Sequence, residues 1–331
     1  MEKKIIPSFN PIVNLLLHAI CCFDDSFPRK PIYAEKAEEW LISSEKKFFA
    51  DNFRLEQTGK VSSTAQFALL FQIPAYFSTD TLNSLKEVID LMKNQSLSLL
   101  KQHFPKKGAL IDRYTPKQFQ ALLFEESIKK QKNCEEVLDK YAEILENVYE
   151  RFYIDYWKTL LPDVNQKIKL LHEEYFKRTN LIELWERKSR LEFPYPTFVV
   201  ELADPISSLG TSLMAERDAF SSWVNIEKLI TLISHEIGTH IFFQTYCLQI
   251  PEFTAIFNNN AEKTIRIIEA FSSLLNLDIG KELNWPIGYS KQFTDIFKNE
   301  VDALHHNWSD WQTGNLSAPE LIIRAFKHLQ G

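Results

Sequence analysis

Two histidines and a glutamate within six residues constrain this sequence more than any other feature. They lie in the stretch Ser234–His240 (S-H-E-I-G-T-H), directly after an apolar run that ends at Ile233. Apolar residues on both sides indicate a buried helix with a polar interruption. Neutral imidazole is a common zinc ligand, and metallopeptidases keep a general base beside the first histidine of such a helix. The stretch therefore predicts either a metal centre or a buried helix with two hydrogen-bonded histidines.

The spacing of the histidines differs from the usual H-E-x-x-H pattern. His235 and His240 are five positions apart rather than four, so a regular helix directs their side chains about 140° apart. A single π-type turn would return them to one face of the helix. Gly238 lies between them, where the backbone is least restricted. We therefore expect a wide turn around this glycine.

A candidate third ligand lies on the next predicted helix. Glu269 follows His240 by 29 positions, and zinc sites with a carboxylate ligand can complete their set from a following helix. Glu269 shares a polar sector with Glu262, Arg266 and Ser273, beside a wide apolar arc. Such a sector is typical of a cleft wall and also of a solvated helix face, and the pattern allows both interpretations.

A rival third ligand lies nearer the C-terminal end. A predicted helix from about Ser290 to Trp308 carries His305 and His306. Neighbouring residues project in different directions from a helix, so at most one of the two could replace Glu269.

The hexapeptide His235–His240 resembles the H-E-I-G-T-H motif of a zinc peptidase family. That family comprises the tubulin tyrosine carboxypeptidases and a bacterial group named for a Q-E-G-L-A motif. Trp223–Ile226 (W-V-N-I) is similar to the I-N-I-type strand before the family motif, and Glu269–Phe271 (E-A-F) is similar to E-G-L. The resemblance covers roughly residues 215–280. Ile267–Phe271 departs from Q-E-G-L-A, and the Gly-rich segment expected nearer the C-terminus is missing.

The resemblance implies a zinc metallopeptidase that acts on a peptide or protein, and carboxypeptidase action in particular. It implies that His235, His240 and Glu269 bind Zn²⁺ and that Glu236 is the catalytic general base. The departure from Q-E-G-L-A favours an alternative of another class, a catalytically inactive zincin-like scaffold or binding protein. Zinc content separates the two, because only the enzyme requires the metal.

Other residues are candidates for contacts with the substrate. A carboxypeptidase should present a cation to the terminal carboxylate, and Arg217 and Arg266 are the nearest candidates in sequence. Either could equally be a surface ion-pair partner. Tyr246 and Tyr289 are candidate donors to a developing oxyanion.

The pattern of the whole chain predicts a mostly helical α+β fold. Only 8 glycines and 13% aromatic residues favour helices over a sandwich or barrel. Predicted helices cover 8–23, 33–53, 82–104, 116–132, 134–161 and 163–188, and predicted strands cover 197–202, 213–219 and 222–226. A small sheet before the motif helix, followed by the ligand helix, is the order found in zincins. We therefore predict a helical N-terminal region, 1–190, and a zincin-like catalytic region, 191–331, possibly within one continuous domain.

Charge and cysteine usage limit the partners and the compartment. The net charge of −6 gives no reason to expect nucleic acid or an anionic membrane as a partner. Polar residues and prolines interrupt the apolar N-terminal stretch, so a signal peptide is not expected. The 4 cysteines include the neighbours Cys21 and Cys22 and form no C-x-x-C pair. Together these features predict a cytoplasmic protein.

Overall fold

A computed structural model describes residues 2–24, 28–52, 71, 73–77, 80–93, 134–207, 210–214, 216–242, 247, 250–285 and 288–330. These residues form a mostly helical fold with one small sheet, which confirms the coarse fold class. The finer assignment to a zincin-like fold stays a prediction.

The chain divides into two compact units. The motif unit consists of Met1–Ile6, Lys169–Val200 and Asn225–Gly331, and the amino-terminal unit consists of Pro7–Ile168 and Glu201–Val224. The chain enters and leaves each unit more than once. The units are therefore not the two regions predicted with a boundary at residue 190, and that functional division stays a prediction.

The described residues up to Phe176 form one strand and seven helices, with two π-helical segments. They are β1 Lys4–Ser8, α1 Pro11–Phe23, α2 Ile32–Trp40, α3 Ser43–Asn52, α4 Ile73–Phe77, α5 Leu82–Lys93, α6 Cys134–Val148 and α7 Ile154–Leu170, with π-helical segments at Tyr149–Tyr153 and Leu171–Phe176. The Asn10 side chain accepts hydrogen bonds from the Ile12 and Val13 N–H groups at 2.8 and 3.0 Å. Asn10 is therefore the N-cap of α1, which begins at Pro11 rather than at residue 8 as predicted.

Several predicted helix boundaries in this part are wrong. The helix expected over 163–188 is interrupted between the π-helical segment Leu171–Phe176 and Leu181. The helix expected over 33–53 is interrupted after α2, where Leu41 is extended and buried, and Glu45 accepts a hydrogen bond from the Ile42 N–H at the start of α3. The break expected at 162 is absent, because Pro162 lies inside α7. A proline removes one backbone hydrogen bond but does not always end a helix. The predicted helix 116–132 and the part of 82–104 beyond Lys93 lie outside the described residues.

The sheet has four strands in the order β1-β2-β4-β3. The later strands are β2 Thr197–Ala203, β3 Gly210–Met214 and β4 Arg217–Ser221. β3 and β4 are antiparallel, with Gly210 opposite Phe220. The prediction for 197–202 is confirmed, but 213–219 spans the end of one strand and the start of the next, and 222–226 is not a strand. Asn225 caps the following helix instead, because its side chain bonds the Lys228 N–H at 2.8 Å.

The motif unit contains the remaining helices. They are α8 Leu181–Ser189, α9 Ile226–His240, α10 Pro251–Asn259, α11 Ala261–Leu283, α12 Gly288–Ile296, α13 Lys298–His305, α14 Trp308–Thr313 and α15 Ala318–His328. The helix predicted over 290–308 is broken at Phe297, which separates α12 from α13. The long helix α11 packs against α9, α10, α12, α13 and α15. It is the centre of this unit, and it carries Glu269 alongside the motif helix α9. Each helix in the described ranges is too short or too polar to span a bilayer.

A buried histidine lies in the core of the amino-terminal unit. His18, on α1, is fully buried, and its Nδ1 lies 2.9 Å from the Tyr33 hydroxyl. The rings of Trp40, Phe152 and Tyr153 lie within 5.5 Å of the imidazole, centroid to centroid. Burial lowers the pKa of His18 to about 3, so this imidazole is neutral in the folded protein.

Candidate metal centre

The motif helix α9 is regular from its cap to its second histidine. Beyond His240, the Ile241 N–H still bonds the Ile237 carbonyl four positions back, and residues 241 and 242 have π-helical geometry. The wide turn expected around Gly238 is therefore absent between the two histidines, and that prediction is wrong. Regular helix geometry leaves the Cβ directions of His235 and His240 about 140° apart. Gly238 meets a different requirement, because an added Cβ there would lie 2.3 Å from the indole of Trp185.

Helix α11 presents one polar face to the motif helix. Glu269, Ser273 and Asn276 are spaced by four and three positions, which places them on the same side of a helix. Asn276 Nδ2 donates to the Thr231 carbonyl at 3.0 Å, and Ser273 Oγ lies 3.4 Å from His235 Nε2. Of the predicted polar sector, Glu269 and Ser273 are thus turned toward α9, whereas Glu262 is exposed.

The four residues predicted for the site lie together between α9 and α11. His235 is buried, with Nε2 3.3 Å from a Glu269 carboxylate oxygen and Nδ1 3.5 Å from a Glu236 oxygen. Glu236 and His240 each offer a ligand atom within 4.8 Å of the other. About a quarter of each carboxylate side chain is exposed. The cluster is therefore enclosed but open to solvent on its acidic side.

The charges of these groups act on one another. Burial works against protonation of His235, but the close contact with Glu236 and the charges of Glu269 and Glu236 outweigh burial and raise the pKa of the imidazole. Burial also disfavours the charged form of Glu236, yet its contacts with His235 and the charge of His240 hold its pKa below the usual range. The pKa of Glu269 is raised, by burial and by the charge of Glu236, against the opposing effect of both histidines. The imidazole of His235 thus lies between Glu236, whose pKa is lowered, and Glu269, whose pKa is raised.

Other residues named from the sequence lie away from this cluster or outside the described part of the chain. Glu262 is exposed on α11, and His305 and His306 are exposed at the end of α13. The His306 Nδ1 instead lies 2.8 Å from the Asp302 carbonyl oxygen. Exposure of both histidines disfavours them as replacements for Glu269. Tyr246 and the side chain of Tyr289 lie outside the described residues.

The two arginines considered for a substrate carboxylate are engaged in ion pairs. Arg217 contacts Glu201, which is fully buried, at 2.8 Å, and also the Ala75 carbonyl at 3.3 Å. Arg266 bonds both oxygens of Glu300 at 2.6 and 3.2 Å. Both guanidinium groups therefore already neutralise a buried carboxylate, the role that the sequence left open as an alternative.

Several neighbours of the cluster did not emerge from the sequence. The ring of Phe198 lies 5.7 Å from His240, and that of Phe293 lies 5.2 Å from His235. The Trp185 indole N–H donates to Ser234 Oγ at 3.0 Å. Aromatic residues at these positions read as ordinary core residues, and no spacing rule links them to the motif. Gly238, which the sequence did single out, was interpreted there as a point of backbone freedom rather than of close packing.

Comparisons with models of protein families, with curated proteins and with solved structures found no match to this chain. The site is therefore judged from its own donor groups. Imidazole nitrogens and carboxylate oxygens are ligands that zinc accepts, and here they are buried and mutually close. Within this cluster, Glu236 and His240 belong to a group of acidic and imidazole side chains that could hold a metal ion.

Proposed function

We propose that this protein is a zinc metallopeptidase that hydrolyses peptide bonds at the cluster between α9 and α11. The observation that carries the proposal is the convergence of His235, His240, Glu236 and Glu269 from two adjacent helices. His235 touches a carboxylate on each side, at 3.3 and 3.5 Å. A buried group of this composition is what a zinc ligand set requires.

The proposed roles divide these residues into ligands and a base. His235, His240 and Glu269 would hold Zn²⁺, which when bound activates water and polarises the scissile carbonyl. Glu236 accepts a proton on a carboxylate oxygen and delivers it to the leaving amine. Its pKa below the usual range keeps it ionised and ready to accept. Its partial exposure leaves it accessible to a substrate.

Carboxypeptidase action is the finer part of the proposal and rests on the resemblance alone. Arg217 and Arg266 are both paired with glutamates, so binding of a terminal carboxylate through either would require a broken ion pair. We place the activity in the cytoplasm, because Cys21, Cys22 and Cys247 are free thiols in the core and free thiols persist in a reducing compartment.

Metal analysis and peptide profiling test the proposal together. We expect about one zinc per chain in the purified protein, as a single set of three ligands requires. We expect its loss in His240→Ala and its retention in His172→Ala, a matched control because His172 is an exposed helix residue. Mass spectrometry of a digested peptide library then reports cleavage and whether it is terminal or internal. A protein that binds no zinc after zinc is supplied at neutral pH would instead be the non-catalytic scaffold.

A further inference from the structure

A tryptophan from a neighbouring helix contacts the motif helix on both sides of the first histidine. Trp185 lies on α8 and is fully buried. Its indole N–H donates to Ser234 Oγ at 3.0 Å, and Ser234 immediately precedes His235. Ser234 is itself only 1% exposed, so the bond is shielded from water and its loss would leave a buried donor without this acceptor.

The same indole occupies the space that a side chain at position 238 would need. A Cβ built on Gly238 would lie 2.3, 2.5 and 2.7 Å from three atoms of the six-membered ring of Trp185. Gly238 lies within a regular stretch of α9, so its backbone conformation does not require glycine. The requirement is close approach of the indole to the helix backbone.

These two contacts lie behind the candidate metal centre. At 100° per residue, Ser234 and Gly238 share one side of α9, and the direction midway between His235 and His240 is about 150° away from it. Trp185 therefore contacts a side of the helix that is about 80° from the direction of His235 and about 140° from that of His240. The indole N–H fixes the position of Ser234, and the ring fits only where a residue lacks a side chain, so α9 cannot slide or rotate without loss of both contacts.

We infer that Trp185 is a positioning residue for the metal centre, which holds the register of the motif helix so that His235 stays beside Glu269 of α11 and His240 beside Glu236. The inference rests on the proposed zinc site. It adds to that site a residue that touches neither the metal nor the substrate. It also assigns Gly238 a packing role in place of the wide turn that the sequence suggested.

Zinc affinity in a double-mutant cycle tests this role. The variants are Gly238→Ala, Trp185→Phe and the two combined, measured by competition with a chromogenic chelator and by the visible absorption of the Co²⁺-substituted protein. We expect Gly238→Ala to weaken zinc binding by about tenfold, the scale found when residues that support metal ligands are changed, and to alter the cobalt spectrum. In the Trp185→Phe background the same change should cost less than about threefold, because the smaller ring leaves room for the added methyl group.

Two further variants keep the test decisive if Gly238→Ala does not fold. Ser234→Ala removes only the acceptor of the indole hydrogen bond, and we expect it to weaken zinc binding a few-fold, on the order expected for one buried hydrogen bond. Trp311→Phe is the control, because Trp311 is a buried tryptophan of the same unit and should bind zinc as the wild type does.

Each remaining outcome overturns a definite statement. An equal loss from Gly238→Ala in both backgrounds would trace the effect to the backbone and remove Trp185 from the argument. Wild-type zinc affinity and cobalt spectra in Ser234→Ala and Trp185→Phe would make Trp185 a core residue only. If the wild-type protein binds no zinc, the proposed function fails first and this inference fails with it.

Discussion

The two units bury a histidine each in opposite surroundings, and the contrast shows what makes His235 chemically distinctive. His18 and His235 are 0% and 2% exposed. The pKa of His18 is lowered to about 3 by burial among aromatic rings and a phenol. The pKa of His235 is raised despite burial, because Glu236 and Glu269 flank its ring. Burial alone makes an imidazole neutral, whereas paired carboxylates make its surroundings favourable to positive charge.

The contrast also explains why we expect a bound cation in the motif unit rather than beside His18. Carboxylates that stabilise an imidazolium would equally stabilise a bound metal ion, whose charge replaces that of the proton. The His18 pocket offers the uncharged Tyr33 hydroxyl and the Cys22 thiol, whose pKa is itself raised to about 12 by burial. We therefore interpret His18 as a structural residue and His235 as a functional one.

The largest expected effect comes from the carboxylate beside His235. Glu236→Gln keeps the shape of the side chain but removes the proton acceptor, so we expect peptide hydrolysis to fall by about 10²–10⁴-fold, the range for a general base. Zinc content should stay at the wild-type level. The measurements are kcat on a peptide that the wild type cleaves, and metal analysis of the same sample. Glu227→Gln, an exposed position in the first turn of α9, should leave both unchanged. Loss of zinc with Glu236→Gln would make this residue a ligand.

The second effect concerns His18, whose ring lies among aromatic side chains and a phenol rather than beside carboxylates. The folded pKa of His18, about 3, lies below its ordinary value of 6.5, so the unfolded chain binds the additional proton as the pH falls through that window. The contribution of His18 to the free energy of unfolding is therefore fully present above pH 6.5 and is lost as the pH falls toward 3. Between about pH 7 and pH 4 the loss amounts to about 3 kcal/mol. His18→Phe cannot bind that proton, so urea unfolding should depend less on pH in the variant. Identical pH dependence of the two proteins would remove His18 as the source.

A third effect distinguishes the acidic residues of α11. Glu269→Ala should weaken zinc binding by about tenfold or more, because it removes a group that touches His235 and is proposed to bind the ion. Glu262→Ala should change zinc affinity by less than about twofold, since Glu262 is exposed and lies two helical turns earlier. A competition titration with a chelator measures both. The opposite order would assign the ligand to Glu262.

The smallest expected effect comes from a hydroxyl near the imidazole. Ser273→Ala removes the 3.4 Å contact with His235 Nε2, and we expect zinc affinity to fall by about two- to fivefold, in keeping with one modest hydrogen bond. Ser272→Ala is a matched control, because Ser272 is also buried on α11 and its Oγ has no hydrogen-bond partner in the described parts of the chain. Equal affinity for all three proteins would show that Ser273 does not orient the ring.

The sequence predicted features that depend on neighbouring residues better than those that depend on distant ones. Helical periodicity predicted α1 apart from its first residues, and the apolar run before His235 marked α9. The 29-position separation and the helical wheel placed Glu269 on a polar sector, and the structure turns Glu269 and Ser273 of that sector toward α9. These inferences succeed because capping and helical periodicity act within a few residues.

Longer-range packing accounts for what the sequence did not predict. Gly238 has no side chain and so leaves room for the indole of Trp185, 53 positions earlier in the chain. No local sequence pattern distinguishes a glycine needed for such close packing from one needed for its conformational freedom. The strand predicted at 222–226 is absent, and Asn225 caps α9 instead. The prediction gave more weight to the β-branched and aromatic composition than to the capping signal of Asn225. β1 was missed because its partner residues near Pro196 are remote in sequence; the Lys4 N–H bonds the Pro196 carbonyl at 3.0 Å.

The crossing of the chain between its two units determines how the protein could be shortened. A fragment that begins at residue 191 retains both histidines of the motif but lacks the Met1–Ile6 and Lys169–Arg190 parts of the same unit. Those parts are tied to each other, since Lys3 forms an ion pair with Glu186 and the Asn180 side chain bonds the Lys3 carbonyl at 3.2 Å. Such a fragment also loses Trp185. A minimal version of the motif unit must therefore combine three separated stretches of the chain, joined by designed linkers, rather than a simple C-terminal half.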